Sequence, residues 1–217
     1  YCQSAGRMCG LEVECKKEIP EMAGLGGGSS DAAAMLRVLR LLHPVDIGAD
    51  EILRIATELG SDVPFFLYSP SALVEGRGER IYPIETPVAW DCVIIKPDFD
   101  ISTGEAYRIL DAEHRTKNKL LSGKDIHELY QKGPRHWKFF NSFTPVLSRY
   151  YPQLNEYKKF FKESSADYAE LSGSGSAYFG VFRDSETANN CYFSAKKSIK
   201  KVWKVKMLAS LTEAVYN

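Results

Sequence analysis

A glycine-rich segment that runs directly into a helical pattern constrains the fold of this chain more than any other feature. Ala23 is followed by Gly-Leu-Gly-Gly-Gly-Ser-Ser, and apolar residues then recur at Met35, Val38, Leu39 and Leu42. This spacing of i, i+3, i+4 and i+7 predicts an amphipathic helix whose buried face carries these four side chains. The chain therefore has a glycine-rich loop that ends at a helix N-terminus.

The start of this helix is a predicted anion site. Glycines let a backbone approach a ligand closely, and a helix N-terminus offers unpaired N–H groups with partial positive charge. We expect Ser29 or Ser30 to cap the helix and Asp31 to lie favourably near its positive end. The two serine hydroxyls could also bond a phosphate or reach a magnesium ion.

Two other nucleotide-binding loops fit the segment less well. A Walker A loop ends in Gly-Lys-Ser/Thr, and no lysine follows Gly28. A dinucleotide-binding fingerprint follows a buried strand, and Gly24, Gly26 and Ser29 only approximate its spacing. A glycine-rich turn without a ligand remains the alternative interpretation of this segment taken alone.

The rest of the chain mixes helical and strand patterns without strict βαβ alternation, which predicts an α+β fold. Alternating or helical spacing, glycine turns and short apolar runs define each expected element. In chain order these are a strand over 10–16, a helix over 49–59, two strands over 72–82, a strand over 93–95, mostly helices over 104–167, a glycine/serine turn at 171–176 before a strand, a helix near 185–198 and a strand near 202–208.

Charge and composition argue against two classes of partner. The 28 basic and 28 acidic side chains give a formal net charge of zero, whereas nucleic-acid-binding proteins usually carry a basic excess. No apolar run approaches the roughly 20 residues of a membrane span. The five cysteines, an odd number without a CxxC pair, predict free thiols in a reducing cytoplasm.

The glycine-rich segment resembles the ATP-binding motif of the GHMP kinases. The triple glycine before Ser-Ser-Asp-Ala-Ala is similar to the form found in one branch of that family, the 4-diphosphocytidyl-2-C-methyl-D-erythritol kinases. Further segments resemble the same kinases in the same order along the chain. They are Leu-Gly-Ser-Asp-Val-Pro-Phe-Phe-Leu at 59–67, the glycine-containing stretch 72–84, Ser-Thr-x-x-x-Tyr at 102–107 and Leu-Ser-Gly-Ser-Gly-Ser at 171–176.

This resemblance implies a GHMP kinase fold with two subdomains and an ATP site between them. Residues 1–90 would be the remainder of the N-terminal ATP-binding domain, and residues 91–217 the C-terminal domain. The implied reaction is transfer of the ATP γ-phosphoryl group, with Mg²⁺, to the 2-hydroxyl of a cytidine diphosphate-linked polyol in the non-mevalonate route to isoprenoids. We expect this small-molecule substrate, no nucleic acid, no membrane, and a cytoplasmic monomer or homodimer.

The resemblance also implies which residues form the site. Asp62 would be the catalytic base, because phosphoryl transfer needs an oriented hydroxyl and a carboxylate can accept its proton. The residues implied in ATP binding are Pro20, Ala23, Gly24, Leu25, Gly26, Gly27, Gly28, Ser29 and Ser30, the last two also being candidates for Mg²⁺. The residues implied in substrate binding are Thr103, Tyr107, Ser174 and Gly175, with Tyr107 stacking on the cytosine.

Each of these assignments has an ordinary structural alternative. Asp62 could cap a helix or turn, Tyr107 could be a core residue of an amphipathic helix, and Ser174-Gly175 could form only a tight turn. For the function, the alternatives are a GHMP kinase of the mevalonate or homoserine type, and a non-catalytic nucleotide-binding protein on the same fold.

Two departures from the family pattern bear on these expectations. Met22 stands where the family usually has glycine, and methionine adopts a positive φ only at a cost. The Pro-Ala-Lys-Ile-Asn-Leu strand with which family members begin, and the Gly-Tyr-His segment that follows it, do not occur in these 217 residues. The resemblance therefore implies a catalytic lysine that these residues do not supply.

Overall fold

A computed structural model describes residues 1–6, 10–43, 47–68, 71–86, 89–113 and 122–208. These residues form two compact units. The first holds residues within 1–19 and 26–86 together with Leu208, and the second holds residues 20–25 and 87–207. The chain thus changes unit within the glycine-rich segment, between Leu25 and Gly26. The family domain boundary between residues 90 and 91 stays a prediction.

Helices and one hairpin make up the first unit as described. They are α1 (Gly27–Leu42), α2 (Ala49–Leu59), α3 (Val63–Tyr68), β1 (Ala72–Glu75) and β2 (Arg80–Pro83). The helices pack through small and branched apolar side chains, among them Ala33, Ala56 and Val63. β1 and β2 are antiparallel, with Glu75 opposite Arg80 at the turn. The predicted second helix and hairpin are confirmed.

The buried face of α1 differs from the predicted one. Ala33 and Leu36 are buried against α2 and α3, whereas Val38 and Leu42 of the predicted face are exposed. Apolar residues occupy both sides of this helix, so the spacing of the large ones alone does not identify the side that packs. The helix itself is confirmed. Of its predicted buried face, Leu39 is buried and Met35 half-buried, while the prediction is wrong for Val38 and Leu42.

The strand predicted over 10–16 is also wrong. Residues 10–18 form neither helix nor strand, and Leu11 and Val13 are exposed. An alternating pattern becomes a strand only where a neighbouring strand exchanges backbone hydrogen bonds with it. Within the described residues no strand pairs with this segment.

An antiparallel sheet is the centre of the second unit. Its described strands are β3 (Asp91–Ile95), β4 (Tyr168–Leu171), β5 (Tyr178–Phe182) and β6 (Val202–Lys206), in the spatial order β4-β5-β3-β6. The central strand β3 pairs with β5 and β6, so that Val93 lies between Gly180 and Lys204. The sequence predicted three of these strands near their observed positions.

Helices cover the face of this sheet that carries Val93 and Ile95. The helices of the unit are α4 (Thr103–Ala112), α5 (Gly123–Gln131), α6 (Thr144–Tyr150), α7 (Gln153–Glu163) and α8 (Ser185–Lys196), with a short 3-10 turn at 134–136. All except α5 contribute to the core on that face. Gly180 lets α7 approach closely, because a Cβ there would lie 2.3 Å from the Phe161 ring. The predicted α+β class is confirmed.

The cysteines only partly follow the prediction. Cys15, Cys92 and Cys191 carry free thiols, but Cys2 is disulfide-bonded, so the prediction is wrong for Cys2. An odd count leaves at least one thiol free without forbidding a bond among the others. Burial raises the pKa of Cys92 to about 12 and that of Cys191 to about 11, which keeps both protonated at neutral pH. No helix in the described ranges is long and apolar enough to cross a membrane.

Candidate functional site

The three consecutive glycines at the start of α1 have different surroundings. Gly26 has a φ of 67°, and a Cβ there would lie 2.7 Å from the Phe66 ring. A Cβ on Gly27 would lie 3.0 Å from Ile19 Cγ2. At Gly28, by contrast, a Cβ would meet no atom within 4 Å. The protein's own packing therefore requires glycine at position 26, whereas position 28 keeps open space beside the helix start.

The first amides of α1 are available to a ligand. The Ser30 N–H donates to the Gly26 carbonyl at 2.8 Å and closes the first turn. The N–H groups of Gly27, Gly28 and Ser29 precede this bond and have no acceptor in the part of the chain that the structure describes. These donors lie at the positive end of the helix dipole, which suits a phosphate group.

Neither serine caps α1, contrary to the prediction. The N-cap is Gly26 in a left-handed conformation, and no described side chain accepts a hydrogen bond from the first N–H groups of the helix. The Ser30 hydroxyl instead donates to the carbonyl three residues earlier at 2.8 Å, while the Ser29 hydroxyl has no described partner. Because the helix begins at residue 27, Asp31 is its fifth residue, beyond the first turn, and it pairs with Lys17.

Asp62 immediately precedes α3, and its side chain is exposed. None of the described residues donates a hydrogen bond or an ion pair to its carboxylate, so it does not serve as a helix cap. α3 packs on α1, where the Arg37 guanidinium donates to the Phe66 carbonyl and the Phe66 ring lies against Gly26. The same contacts therefore hold both the helix start and the element that follows Asp62.

The turn between β1 and β2 packs against the residue before Asp62. Gly78 has a φ of 109°, and a Cβ there would lie 1.8 Å from the Ser61 carbonyl oxygen. The Glu79 carboxylate accepts a hydrogen bond from the Arg77 N–H at 2.6 Å, and main-chain N–H groups, its own and that of Arg77, lower the pKa of Glu79. From the sequence, Gly78 and Glu79 were known only as part of a family-like stretch. In the structure, Gly78 packs against Ser61 and Glu79 holds the turn.

In the second unit, residues 20–25 lie against the second glycine/serine turn. The Ser176 N–H donates to the Met22 carbonyl at 3.3 Å, and the Ala177 N–H donates to the Ala23 carbonyl at 3.0 Å. The first half of the glycine-rich segment is thus fixed by backbone bonds to a segment about 150 residues later in the chain.

Gly24 makes the closest approach to this turn. The Ser172 hydroxyl donates to the Gly24 carbonyl at 2.9 Å. Gly24 has a φ of 69°, and a Cβ there would lie 2.0 Å from the Ser172 carbonyl oxygen. On the other side, a Cβ on Gly173 would lie 3.0 Å from the Gly24 carbonyl oxygen. Gly24 and Gly173, from two distant motifs, therefore pack on one another, and this close approach explains why both positions carry glycine.

The alternate serines of the turn bond to three different segments. Ser172 bonds to the glycine-rich segment, as described above. The Ser174 hydroxyl lies 3.2 Å from the Thr103 hydroxyl at the start of α4, and the Ser176 hydroxyl donates to the Phe99 carbonyl at 2.8 Å. The turn defined by residues 172–176 is hereafter called the serine turn.

The predicted substrate residues all lie in the second unit. Thr103 and Ser174 contact each other through their hydroxyls, and Gly175 follows directly in the serine turn. Tyr107 lies one turn further along α4 with 51% of its surface exposed, so it is not a core residue. The Phe143 ring meets it edge-on, with centroids 5.0 Å apart at 90°. The site roles of these residues stay predictions.

Two polar side chains that support this region, Lys96 and Asn141, were not predicted from the sequence. Lys96 is only 1% exposed, and its Nζ donates to the Pro97 and Phe99 carbonyls at 2.8 and 2.7 Å. It also pairs with Asp100 at 2.8 Å, which lowers the pKa of that carboxyl. Asn141 bonds to the serine turn itself, as detailed below. A lysine directly after a buried strand could have marked Lys96, whereas no pattern marks Asn141.

A metal ion would find few protein ligands here. Within the described ranges no group of three His, Cys, Asp or Glu side chains could hold one. Magnesium bound to a nucleotide takes most of its ligands from phosphates and water, so one hydroxyl at the helix start is sufficient. Ser29 fits this role better than Ser30, because the Ser30 hydroxyl already donates within the helix.

Two protein-family models match the chain. The model described as GHMP kinases N terminal domain matches residues 1–70. The model described as GHMP kinases C terminal matches residues 118–201. Between them the two models cover most of the chain.

Curated relatives agree with these matches. A 4-diphosphocytidyl-2-C-methyl-D-erythritol kinase of Thermodesulfovibrio yellowstonii is 36% identical over 184 residues, which cover 82% of this chain and 65% of the relative. A protein of the same description from Ligilactobacillus salivarius is 36% identical over 206 residues, which cover 94% of this chain and 70% of the relative. The chain thus spans about two thirds of the length of these relatives.

Solved structures agree as well. A crystal structure of a 4-(cytidine 5'-diphospho)-2C-methyl-D-erythritol kinase matches with a TM-score of 0.80 at 31% identity, over 95% of this chain and 74% of that one. A homoserine kinase from Cytophaga hutchinsonii matches with a TM-score of 0.64 at 20% identity, over 89% of this chain and 68% of that one. The second likeness concerns the fold alone.

Proposed function

This chain belongs to the GHMP kinases and, within them, to the 4-diphosphocytidyl-2-C-methyl-D-erythritol kinases, and we propose that it phosphorylates the 2-hydroxyl of 4-diphosphocytidyl-2-C-methyl-D-erythritol with ATP. The predicted GHMP kinase fold is confirmed by this membership. One observation carries the proposal. The open helix start at Gly28 and the exposed carboxylate of Asp62, which has no partner among the described residues, belong to one unit, in which α1 packs on α3.

ATP binding would use the glycine-rich segment in two parts. The main-chain N–H groups of Gly27, Gly28 and Ser29 would donate to phosphate oxygens. Gly26, which has no side chain, would let the backbone pack closely against the Phe66 ring. The preceding residues, with Pro20, Ala23, Gly24 and Leu25 as the proposed contacts, would shape the entry to this loop. Ser29 would contact Mg²⁺, which neutralises phosphate charge when bound.

The transfer step would use Asp62 as the base. Its carboxylate accepts the proton of the substrate 2-hydroxyl while that oxygen bonds to the γ-phosphorus of ATP. The bond from this phosphorus to the β–γ bridging oxygen breaks, and ADP leaves with the electron pair. The amides at the start of α1 stabilise the charge that builds up on the phosphate oxygens during this step.

The cytidine end of the substrate would bind in the second unit. The exposed face of Tyr107 would stack on the cytosine, an interaction worth about 1–3 kcal/mol for bases on aromatic side chains. Thr103, Ser174 and Gly175 would position the diphosphate. A cytoplasmic location and a monomeric or homodimeric state remain proposals that accompany this function.

Specific observations distinguish this function from its alternatives. The homoserine kinase likeness, at 20% identity, supports the common fold and says nothing about the substrate. A non-catalytic nucleotide-binding protein could share this fold, but the relatives at 36% identity and the solved structure at 31% identity are all described as kinases, which favours an enzyme.

The experiment that tests this proposal compares Asp62→Asn with Asp50→Asn in the complete gene product. Asp50 is an exposed acid in the first turn of α2 and serves as a control for the same change of charge. With ATP, Mg²⁺ and the cytidyl substrate, loss of a general base should lower the kcat of Asp62→Asn by about 10²–10⁴-fold. Asp50→Asn should retain wild-type turnover.

Three outcomes would contradict the proposal. Turnover by Asp62→Asn near the wild-type rate would exclude this carboxylate as the base. A wild-type protein that phosphorylates mevalonate or homoserine in preference to the cytidyl substrate would exclude the proposed acceptor. ATP binding without transfer to any of the three alcohols would favour a non-catalytic role.

A further inference from the structure

We propose that Asn141 is a positioning residue that ties the serine turn to the aromatic pair formed by Tyr107 and Phe143. This inference deepens the proposed function, on which it rests, because it concerns how the cytidine side of the same site is held. Asn141 is half-buried and lies just before α6. It touches neither of the groups that would react, so any effect on catalysis must pass through its neighbours.

Both polar atoms of the Asn141 side chain form hydrogen bonds. Its Nδ2 donates to the Gly173 carbonyl at 2.7 Å and to the Leu171 carbonyl at 3.0 Å. Its Oδ1 accepts from the Phe143 N–H at 2.9 Å. A reversed amide would place an oxygen against two carbonyl oxygens, so these partners determine its orientation. Asparagine is one of the few side chains that can satisfy this set of partners.

The two ends of the amide lead to different parts of the proposed substrate site. Gly173 immediately precedes Ser174, whose hydroxyl contacts Thr103 at the start of α4. Phe143 packs edge-on against the Tyr107 ring, one turn further along α4. Asn141 therefore fixes the distance between the side of the site proposed for the diphosphate and the ring proposed for the cytosine.

The Asn141 amide makes no direct bond to the residues that link the serine turn to the glycine-rich segment, although the two carbonyls that it binds flank Ser172. The Met22, Ala23 and Gly24 carbonyls accept from Ser176, Ala177 and Ser172, and Asn141 bonds to none of these six residues. Loss of the amide should therefore weaken the binding of the cytidine part more than that of the adenine nucleotide. In a purely local role, Oδ1 would only support the turn before α6. Loss of the amide would then destabilise the protein and lower its affinity for both ligands equally.

The test measures the affinities of CDP and ADP by calorimetry, together with the KM values of both substrates, in Asn141→Asp. A carboxylate keeps the acceptor for the Phe143 N–H but replaces two donated hydrogen bonds by repulsion from two carbonyls. We expect CDP to bind about tenfold more weakly, which is about 1.4 kcal/mol, and the KM of the cytidyl substrate to rise by the same factor. ADP affinity should stay within about twofold, a change of about 0.4 kcal/mol.

Two further variants complete the experiment. Asn155→Asp introduces the same charge in the same surface groove, where its exposed side chain has no described partner, and should bind both ligands as the wild type does. Phe143→Leu keeps the main-chain N–H bonded to Asn141 and removes the ring edge against Tyr107, so it should also weaken CDP binding selectively. This variant tests the inference if Asn141→Asp fails to fold.

The outcomes separate the inference from the proposed function. A wild-type protein that binds CDP without phosphorylating the substrate would contradict the reaction, while a selective loss of CDP affinity in the variants would still support the positioning role. Unchanged CDP affinity in a folded Asn141→Asp, equal losses for CDP and ADP, or a wild-type protein that does not bind CDP would each overturn the positioning role.

Discussion

At the residue scale, the glycines at the start of α1 allow structural and ligand-binding requirements to be separated. Gly28→Ala adds a methyl group in open space within a helix, where alanine is favoured over glycine by about 0.5–1 kcal/mol. We therefore expect a slightly higher free energy of unfolding in urea. If the helix start binds phosphates, the same methyl group should weaken ATP binding about tenfold or more, measured by calorimetry.

Gly26→Ala is the matched comparison for this variant. Its positive φ and the 2.7 Å approach to the Phe66 ring make an added Cβ costly, so we expect a loss of stability of about 1–3 kcal/mol. A Gly28→Ala protein that binds ATP like the wild type would show that the ligand does not approach the helix start. These two glycines, which are only two residues apart, should thus respond in opposite directions in the unfolding measurement.

Met22 provides a second prediction at this scale. Its φ of 51° is a left-handed conformation that costs a side chain about 1–2 kcal/mol, and the residue is 57% exposed, so little packing depends on it. Met22→Gly should therefore raise the free energy of unfolding by about 0.5–1 kcal/mol after the entropy of the unfolded glycine is counted.

Glu21→Gly is the control for the Met22 substitution. Glu21 is also exposed but has a negative φ, so glycine there brings only the entropic cost and should destabilise the protein by about 0.5–1 kcal/mol. Urea unfolding of the two variants side by side measures the difference. Equal destabilisation by both substitutions would mean that the backbone at Met22 carries no strain.

At the element scale, the N-cap of α8 makes its stability depend on pH. The Asp184 carboxylate accepts from the Thr187 hydroxyl at 2.5 Å and from its N–H at 2.6 Å, and these bonds lower the pKa of Asp184. Because the folded pKa lies below the unfolded one, the stabilisation is fully present above the unfolded pKa, about 3.9. It is lost as the pH falls through the folded pKa.

Asp184→Ala tests this cap. At pH 7 it should lower the midpoint of thermal unfolding by about 2–4 °C, the shift expected when a cap is lost from a chain of this size. The difference from the wild type should shrink as the pH falls below about 4, near the unfolded pKa of an aspartate. Asp184→Asn keeps a capping oxygen without a titrating charge, so its stability should vary less with pH. A constant difference between Asp184→Ala and wild type from pH 7 to 3 would contradict this prediction.

Elements with a clear apolar period could be predicted from the sequence, and elements defined by their partners could not. The helix over 49–59 was predicted with its observed bounds, because Ile52, Ile55 and Ala56 mark one face. The segment 10–16 has a strand pattern without a described strand beside it. The spacing of apolar residues indicates which side chains an element could bury. The neighbouring elements determine which of them are buried in the folded protein.

The same distinction applies to the candidate site. The glycine-rich segment, Asp62 and the serine turn are local motifs, so a family resemblance could indicate them from the sequence. Asn141 bonds to main-chain carbonyls 30 and 32 residues away. Every residue type has a main-chain carbonyl, so the sequence does not indicate which residues accept these bonds. Supporting side chains of this kind become visible only when the backbone geometry is known.

At the scale of the whole molecule, the glycine-rich segment is one motif in the sequence but belongs to two units in the structure. Its first half is held by backbone bonds from Ser176 and Ala177 in the second unit. Its second half, from Gly26 onward, is held by Phe66 and Ile19 in the first. A ligand that contacts both halves would therefore depend on the folding of both units.

Thermal unfolding with ATP tests this dependence in the complete protein. A ligand at 100 times its Kd stabilises the folded state by about 2.7 kcal/mol, which for a chain of this size raises the unfolding midpoint by about 5–11 °C. If both halves of the segment contact ATP, scanning calorimetry should show every unfolding transition moving upward. A shift of one transition alone would confine binding to one unit.

Gly28→Ala provides the control, because tenfold weaker binding should reduce the shift of its unfolding midpoint to about half at the same ATP concentration. The methyl group lies on one half of the segment only, yet it should reduce the shift of all transitions if binding couples the two units through the ligand. An equal ATP-dependent shift in Gly28→Ala and wild type would mean that the nucleotide binds elsewhere.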